Sequence, residues 1–222
     1  ALQDSIWQWA ADNKATDPVA NAIYASAVNE PDGVIDVHMI RVDTAMKARF
    51  RRCVHDSPLI RLEGFDPDTT PYPPAPEGTP PPDGLSMDAE YAFYPAETDC
   101  VRLTIRYRGD STVYFGTDYT VCRFQNGRWE TLPGADAWNS LLIGIGRPQF
   151  PVPGDARQTK EYAYGFTARL APRVYPSVYA RYRICKNVYM ENPHRNYLLT
   201  ADFTVTPFVP FTRFPEQTGD NN

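Results

Sequence analysis

The spacing of hydrophobic and polar positions changes near residue 85 of the chain. Before that point the pattern is mixed. Asp17-Pro18 predicts a helix that continues through about Val28, and Asp43-Thr44 caps a second helix with apolar residues at i, i+4 and i+7. The runs Val34–Val42 and Leu59–Phe65 are rich in β-branched and apolar residues, which favours strands. The N-terminal part is therefore predicted to be a small α/β region.

After residue 85 the period becomes two, which is typical of half-buried strands. Alternation is clearest from Val101 to Arg108, where apolar residues and arginines or threonine take turns. Asn126-Gly127 is the strongest hairpin signal in the chain, whereas residues 133–160 are loop-rich. The other predicted strands are Met87–Tyr94, Thr112–Phe124, Tyr162–Leu170, Val178–Lys186 and Tyr197–Thr206. About seven short strands predict an antiparallel β-sandwich, so the fold class is mainly β with a small N-terminal α/β region.

A proline-rich segment separates these two parts. Eight of the nineteen residues from 66 to 84 are proline, which favours an extended, polyproline-like backbone. Such a segment is either a ligand for an aromatic groove or, as we predict, a semi-rigid spacer. The predicted organisation is residues 1–65 as the α/β region, 66–84 as the linker, 85–206 as the sandwich, and 207–222 as a proline-containing tail.

Four pieces of the sandwich part resemble one known family. They are Met87-x-x-x-x-Tyr91-x-x-Tyr94-Pro95 before the strand at Val101, Val113-Tyr114-Phe115-Gly116-x-x-Tyr119, the hairpin Phe124–Pro133 with its Gly-x-Trp, and Tyr179–Lys186 with its Tyr-Arg-Ile-x-Lys run. Together they are similar to the bacterial immunoglobulin-like domains of secreted proteins and lipoproteins from gut Bacteroidetes and Firmicutes. The resemblance covers about residues 85–206.

This resemblance implies an immunoglobulin-like sandwich, a cell-envelope location and a non-catalytic role in binding or scaffolding. It supplies no catalytic residues. The residues themselves agree, because the chain has no Gly-rich phosphate loop, nucleophile elbow or metal motif. We therefore predict no enzyme activity, no cofactor and no metal site. A carbohydrate-active or peptidoglycan-processing accessory enzyme remains the alternative, since two of the 27 acidic residues could meet from distant positions.

Composition narrows the partners. A formal net charge of −5 and a pI near 5.2 lack the basic surface that nucleic-acid binding needs. No run of 18 apolar residues is present. We expect a periplasmic or cell-surface protein whose signal peptide or lipoprotein leader precedes Ala1, with a lipid anchor outside this chain as the only membrane contact. The predicted partner is an unidentified protein or glycan of the envelope.

The cysteines and histidines form no metal pattern. Cys53, Cys100, Cys122 and Cys185 are widely spaced without a C-x-x-C pair, and the three histidines are scattered. We expect mostly free thiols, because a chain of this length can build a core without disulfides. Cys185 shares its strand parity with the outward-facing arginines, so an inter-sheet core disulfide is not predicted.

Four residues are candidates for binding. Trp138 and Tyr175 lie in loops beside prolines and could stack on a sugar or a peptide side chain, although plugging the ends of the sandwich is the simpler interpretation for each. Arg181 and Arg183 alternate with apolar residues and should lie on the outer face. They could hold an anionic ligand, but solvated cross-strand pairs with Asp or Glu are the favoured interpretation.

Overall fold

A computed structural model of the 222-residue chain describes residues 2–134, 143–146, 161–171, 174–175 and 179–207. The fold is mainly β. The chain divides into two compact units. The N-terminal unit comprises Ala1–Pro73, Pro133–Ala135 and Ala171–Val178, and the sandwich unit comprises Pro74–Leu132, Asp136–Leu170 and Tyr179–Asn222. The predicted domain boundaries stay a prediction, and each unit is described by itself.

The N-terminal unit packs three helices against a three-stranded sheet. Its elements are α1 (Leu2–Asn13), α2 (Pro18–Ala22), β1 (Ile23–Asn29), β2 (Val34–Arg41), α3 (Thr44–Cys53) and β3 (Ile60–Phe65). The sheet order is β1-β2-β3, with β1 antiparallel and β3 parallel to β2. Asp43 caps α3 as predicted, because its carboxylate accepts from the Met46 N–H at 2.8 Å. Ile6, Val37 and Phe50 are fully buried and form part of the core.

The predicted helix from Asp17 to Val28 is wrong beyond Ala22. Asp17 does cap α2, but Ile23 already has an extended backbone, with φ −70° and ψ 122°. Residues 23–29 instead form β1, which pairs with β2 along its length. The β-branched and aromatic side chains in this run fit a pleated surface, and pairing with β2 outweighs the helix-start signal.

The sandwich unit contains ten described strands. They are β4 (Leu85–Ala89), β5 (Phe93–Pro95), β6 (Cys100–Arg108), β7 (Thr112–Phe115), β8 (Thr120–Gln125), β9 (Arg128–Leu132), β10 (Ile143–Gly146), β11 (Glu161–Arg169), β12 (Ala180–Met190) and β13 (Arg195–Thr206). The smaller sheet has the order β11-β6-β4. The larger has the order β10-β7-β12-β13-β5, and β8 pairs both β12 and β9. The rings of Phe115 and Tyr164, one from each sheet, lie 5.2 Å apart in the core.

Alternation and turn chemistry predict several strands correctly. Along β6, Val101, Leu103 and Ile105 are at most 1% exposed while Arg102 and Arg106 are exposed, as the period of two predicts. The β8–β9 hairpin turns at Asn126 and Gly127, whose φ angles of 52° and 79° are those a tight hairpin turn requires.

Three strand predictions need correction. Met87–Tyr94 is not one strand, because β4 pairs with β6 in the smaller sheet while β5 runs parallel to β13 in the larger. Thr112–Phe124 is interrupted at residues 116–119 and becomes β7 and β8. The loop-rich stretch contains β10, a short Gly-rich strand that pairs with β7. In each case, pairing with strands far along the chain determines where a strand forms or is interrupted. The local spacing of apolar residues does not contain that information.

Part of the proline-rich segment lies on the larger sheet. The Ala75 N–H donates to the Trp129 carbonyl at 3.2 Å, and the Leu198 N–H donates to the Thr79 carbonyl at 2.8 Å. We call residues 74–79 the strap. It pairs at Pro74 with Glu130 of β9, so it covers the outer edge of that strand.

The strap changes the environment of the outward cysteines. Cys185 lies on the outward face, as its strand parity predicts, but it is only 2% exposed there, and Cys122 on the same face is fully buried. Both belong to a small apolar cluster with Leu198, against which Ala75 and Trp129 pack. The two Sγ atoms are 3.9 Å apart, and all four cysteines are free thiols in the structure.

Candidate functional site

A cavity of about 150 Å³ lies between the two sheets of the sandwich unit. It combines aromatic and aliphatic walls with a small number of polar groups, which is the usual composition of a ligand pocket. Strands β10, β11 and β12 and the interruption between β7 and β8 contribute its lining residues, which are Gly116, Thr117, Ile143, Tyr164, Phe166, Thr167 and Lys186.

Lys186 is the charged group of this cavity. It lies on β12 opposite Leu199 of β13 and is only 2% exposed. Its Nζ atom donates hydrogen bonds to the Gly116 carbonyl at 2.8 Å and to the Asp118 carbonyl at 2.6 Å. These carbonyls are available because residues 116–119 leave the strand ladder between β7 and β8. The interruption therefore positions the buried amine.

Aromatic rings surround the same amine. Nζ lies 5.1 Å from the ring centroid of Phe166 and 5.5 Å from that of Phe115, distances at which a cation interacts favourably with a ring face. Burial lowers the pKa of Lys186 below its ordinary value of 10.5, because desolvation penalises the charged form, while the charge of Asp118 acts in the opposite direction.

Hydrogen-bonding capacity remains in the cavity. An ammonium has three N–H donors, and two of those of Lys186 are used by the two carbonyls. The Thr117 Oγ1 atom is buried and has no hydrogen-bond partner among the described residues. A buried hydroxyl without a partner is costly. A ligand with an acceptor oxygen would satisfy both groups at once.

Arg181 and Arg183 lie on the outer face of the larger sheet, where the alternation places them. Arg183 is opposite Asp202 of β13 and donates to its two carboxylate oxygens at 2.6 and 2.9 Å. This hydrogen bonding raises the pKa of Arg183. Arg181 approaches the same carboxylate at 3.7 Å. The cross-strand pairs predicted for these arginines are confirmed, and a role in ligand binding stays a prediction.

The aromatic side chains beside these arginines are already stacked. The guanidinium of Arg183 lies 4.3 Å from the ring centroid of Trp129, and that of Arg181 lies 5.4 Å from that of Phe124. A ring face that holds a guanidinium is not open to a sugar. The arginines and aromatic rings of this face therefore already contact one another.

The other two predicted binding residues are Tyr175, which does not line the Lys186 cavity, and Trp138. Tyr175 is 5% exposed, donates its hydroxyl proton to the Pro133 carbonyl and contacts the ring of Tyr72 at 6.3 Å. Such a placement is typical of packing, and its predicted role in binding is not tested by this contact. Trp138 lies outside the described residues.

The sequence did contain one signal for Lys186. On β12 it shares its parity with Tyr182 and Ile184, which are buried core residues. A lysine at an inward position of a strand is unusual, because lysine is almost never fully buried without a partner. Among the sequence motifs, Lys186 appears only as the last residue of the Tyr179–Lys186 run that resembles a family.

Two other kinds of site were searched for in the described residues. Within them, no three or more His, Cys, Asp or Glu residues are grouped so that they could hold a metal ion. No helix in the described ranges is long and apolar enough to cross a membrane.

Comparisons with known proteins agree with this fold. Residues 81–149 match the family model described as a bacterial Ig-like domain, which supports the immunoglobulin-like domain predicted from the sequence. The matched range ends before Tyr179–Lys186, the last of the four resembling pieces. No curated protein matches the chain.

Two solved structures show distant similarity. The X-ray structure of the structural genomics target SoR45 is 12% identical, with 59% of this chain and 92% of that chain covered and a TM-score of 0.31. The periplasmic chaperone SfaE is 13% identical, also with a TM-score of 0.31. The match covers 60% of this chain and 61% of that chaperone. Similarity at this level carries no argument about function.

Proposed function

We propose that this protein is a non-catalytic binding protein of the bacterial cell envelope whose sandwich unit holds a carboxylate group in the Lys186 cavity. The match to the bacterial Ig-like domain, a family that is generally non-catalytic, supports the binding role. The observation that carries the ligand class is the buried amine, which uses two of its three donors on carbonyls. The same cavity is lined by Thr117, whose buried hydroxyl has no hydrogen-bond partner among the described residues.

The size of the cavity sets the size of the bound group. A cavity of about 150 Å³ is of the size that holds a benzene molecule, so it accommodates a carboxylate with a short apolar stem. The carboxylate would accept from Lys186 and Thr117, and the stem would contact Ile143, Tyr164 and Phe166. An ion pair with an amine as buried as that of Lys186 is stronger than one in water.

Two envelope components carry such a group. One is the terminal carboxylate of a peptide, and the other is the carboxylate of an acidic glycan. This choice corresponds to the protein or glycan partner expected from the sequence. An origin in gut Bacteroidetes or Firmicutes and a lipid anchor on the precursor, both implied by the resemblance, stay predictions.

The test is a titration of the full chain with acetate, propionate, butyrate and benzoate, in which binding is monitored by changes in NMR amide chemical shifts. We expect saturable shifts at residues 116–119 and 186, absent with propionamide, which has the same shape but no charge. Lys186→Met should abolish the shifts, and Thr117→Val should weaken them. Lys14→Met is the matched control, because Lys14 is an exposed lysine. Shifts that persist in Lys186→Met, or no shifts at all, would overturn the carboxylate site.

A second titration then distinguishes between a peptide and a glycan as the source of the carboxylate. Peptidoglycan stem peptides with free and amidated C-termini are compared with uronic-acid and neutral oligosaccharides. Binding of only the free peptide supports a peptide ligand, and binding of only the acidic sugar supports a glycan. Cleavage of either compound during the titration would favour the alternative of an accessory enzyme.

A further inference from the structure

Strand β11 forms an edge of the smaller sheet. It pairs with β6 over all nine residues, from Glu161 opposite Arg108 to Arg169 opposite Cys100. On its other side no strand pairs with it in the described ranges. A long, regular edge strand without proline is a template for pairing with another chain.

The hydrogen-bond register shows which residues of β11 point outward. The Leu170 N–H donates to the carbonyl of Asp99, the residue just before β6, and so points toward β6. The N–H of the neighbouring Arg169 points away from β6 and donates to the Tyr119 hydroxyl at 2.6 Å. Backbone groups alternate along an antiparallel strand. The N–H and C=O groups of the odd-numbered residues Ala163, Gly165 and Thr167 therefore point away from β6.

The side chains at this edge leave room for a partner. Ala163, Gly165 and Thr167 are small and exposed. No lysine or proline, the residues that commonly protect edges, interrupts Glu161–Arg169. By contrast, the outer edge of β9 in the larger sheet is covered by the strap. Within the described residues, the edge of β9 is therefore covered by a chain segment and the edge of β11 is not paired with a strand.

The charges of β11 indicate which partner fits. Its only charged residues are Glu161 at one end and Arg169 at the other, equally distant from Gly165, and both are exposed. In an antiparallel pairing of two β11 strands centred on Gly165, the side chain of each Glu161 faces that of Arg169 of the second copy. The Arg169 N–H stays bonded to the Tyr119 hydroxyl, so the new backbone ladder is confined to residues 163–167. Ala163 then lies opposite Thr167, and Gly165 lies opposite itself. Opposite charges in facing positions stabilise such a pair, and like charges destabilise it.

We infer that the protein self-associates through β11, in an antiparallel and twofold-symmetric pair with a second copy of this chain. The outward N–H and C=O groups of Ala163, Gly165 and Thr167 would form the new ladder, and the two smaller sheets would become one continuous six-stranded sheet. Such an isologous contact closes on itself and leaves no free edge at β11.

The first test removes the central donor of the new ladder. Gly165→Pro deletes an N–H that points away from β6, a position at which an edge strand tolerates proline. We expect sedimentation equilibrium to show a concentration-dependent dimer for the wild type and a monomer for Gly165→Pro. The matched control is Gly165→Ala, which keeps the N–H. Its Cβ would lie in ordinary contact, 3.9 Å from the Leu103 carbonyl oxygen, so it should still dimerise.

The second test uses the charges and does not depend on proline. Arg169→Glu should raise the dimer dissociation constant by about tenfold, because both facing pairs become repulsive. Adding Glu161→Arg to the same chain should restore association. Asp88→Arg makes an equal charge change, with the opposite sign, on β4, the other edge of this sheet, and should have no effect. A monomeric wild type, or a dimer that tolerates both Gly165→Pro and Arg169→Glu, would overturn the inference.

Discussion

Strand β12 carries cations on both of its faces, and the outward Arg183 and the inward Lys186 are satisfied in different ways. Arg183 faces outward and pairs with the Asp202 carboxylate at 2.6 and 2.9 Å. Lys186 faces inward and, among the residues that the structure describes, its amine contacts two carbonyl oxygens and two aromatic rings and no carboxylate. A buried cation without a carboxylate partner retains the capacity to bind an anion. The difference is consistent with a structural role for the outer arginine, and it makes the inner lysine the binding group that we propose.

The largest effect that can test this comparison comes from Lys186→Ala. The change leaves the Gly116 and Asp118 carbonyls without their donor and enlarges the cavity, so the free energy of unfolding should fall by about 3 kcal/mol. Urea unfolding followed by circular dichroism measures it, with Lys14→Ala as the exposed control. A loss below about 1 kcal/mol would contradict the buried and hydrogen-bonded state described for Lys186.

Asp202→Ala should have a smaller effect. Arg183 loses both charge-assisted hydrogen bonds, but its side chain is 28% exposed and water can replace them. We expect the free energy of unfolding to fall by about 1 kcal/mol, measured by urea unfolding at low and at high salt. If the loss equalled that of Lys186→Ala, the contrast between the two faces of β12 would fail.

The pH dependence of stability should separate the two cations further. The pKa of Lys186 is lowered in the folded protein, so between that pKa and about 10.5 the unfolded chain binds more protons than the folded chain. In this alkaline range Lys186 therefore makes stability rise with pH, and Lys186→Met should lack that contribution. Unfolding of both proteins from pH 7 to 10.5 measures the difference. Curves that stay parallel throughout would show that the lysine titrates normally.

The smallest effect is expected for Arg181→Ala. Its side chain is 58% exposed and lies 3.7 Å from Asp202, so the free energy of unfolding should change by about 0.5 kcal/mol or less. Thermal unfolding together with the carboxylate titration checks both stability and binding. Loss of carboxylate binding in this variant, with Lys186 intact, would move the site to the outer face.

The candidate site was only partly predictable from the sequence. Alternation placed Arg181 and Arg183 on the outer face. The parity of Lys186 with Ile184 contained a signal for an inward lysine, but no prediction was based on it. The cavity itself was not predictable, because its walls come from β10, β11, β12 and the interruption at residues 116–119. Residues so far apart in the chain contribute no local pattern.

The amino-acid sequence by itself determined the features that depend on neighbouring residues. The cap at Asp43, the hairpin at Asn126-Gly127 and the alternating burial of β6 follow from short-range sterics and hydrogen bonding. The mainly β fold class follows from the period of two that continues after residue 85. These preferences act over a few residues and are the same in any fold.

Only the tertiary structure decided the features that need distant partners. Ile23–Asn29 became a strand because β2 lies beside it, and β4 and β5 separated because they pair in different sheets. Cys185 became buried because the strap crosses its face. In each case burial and backbone pairing with residues far along the chain outweighed the local preference, since they contribute more free energy than propensity does.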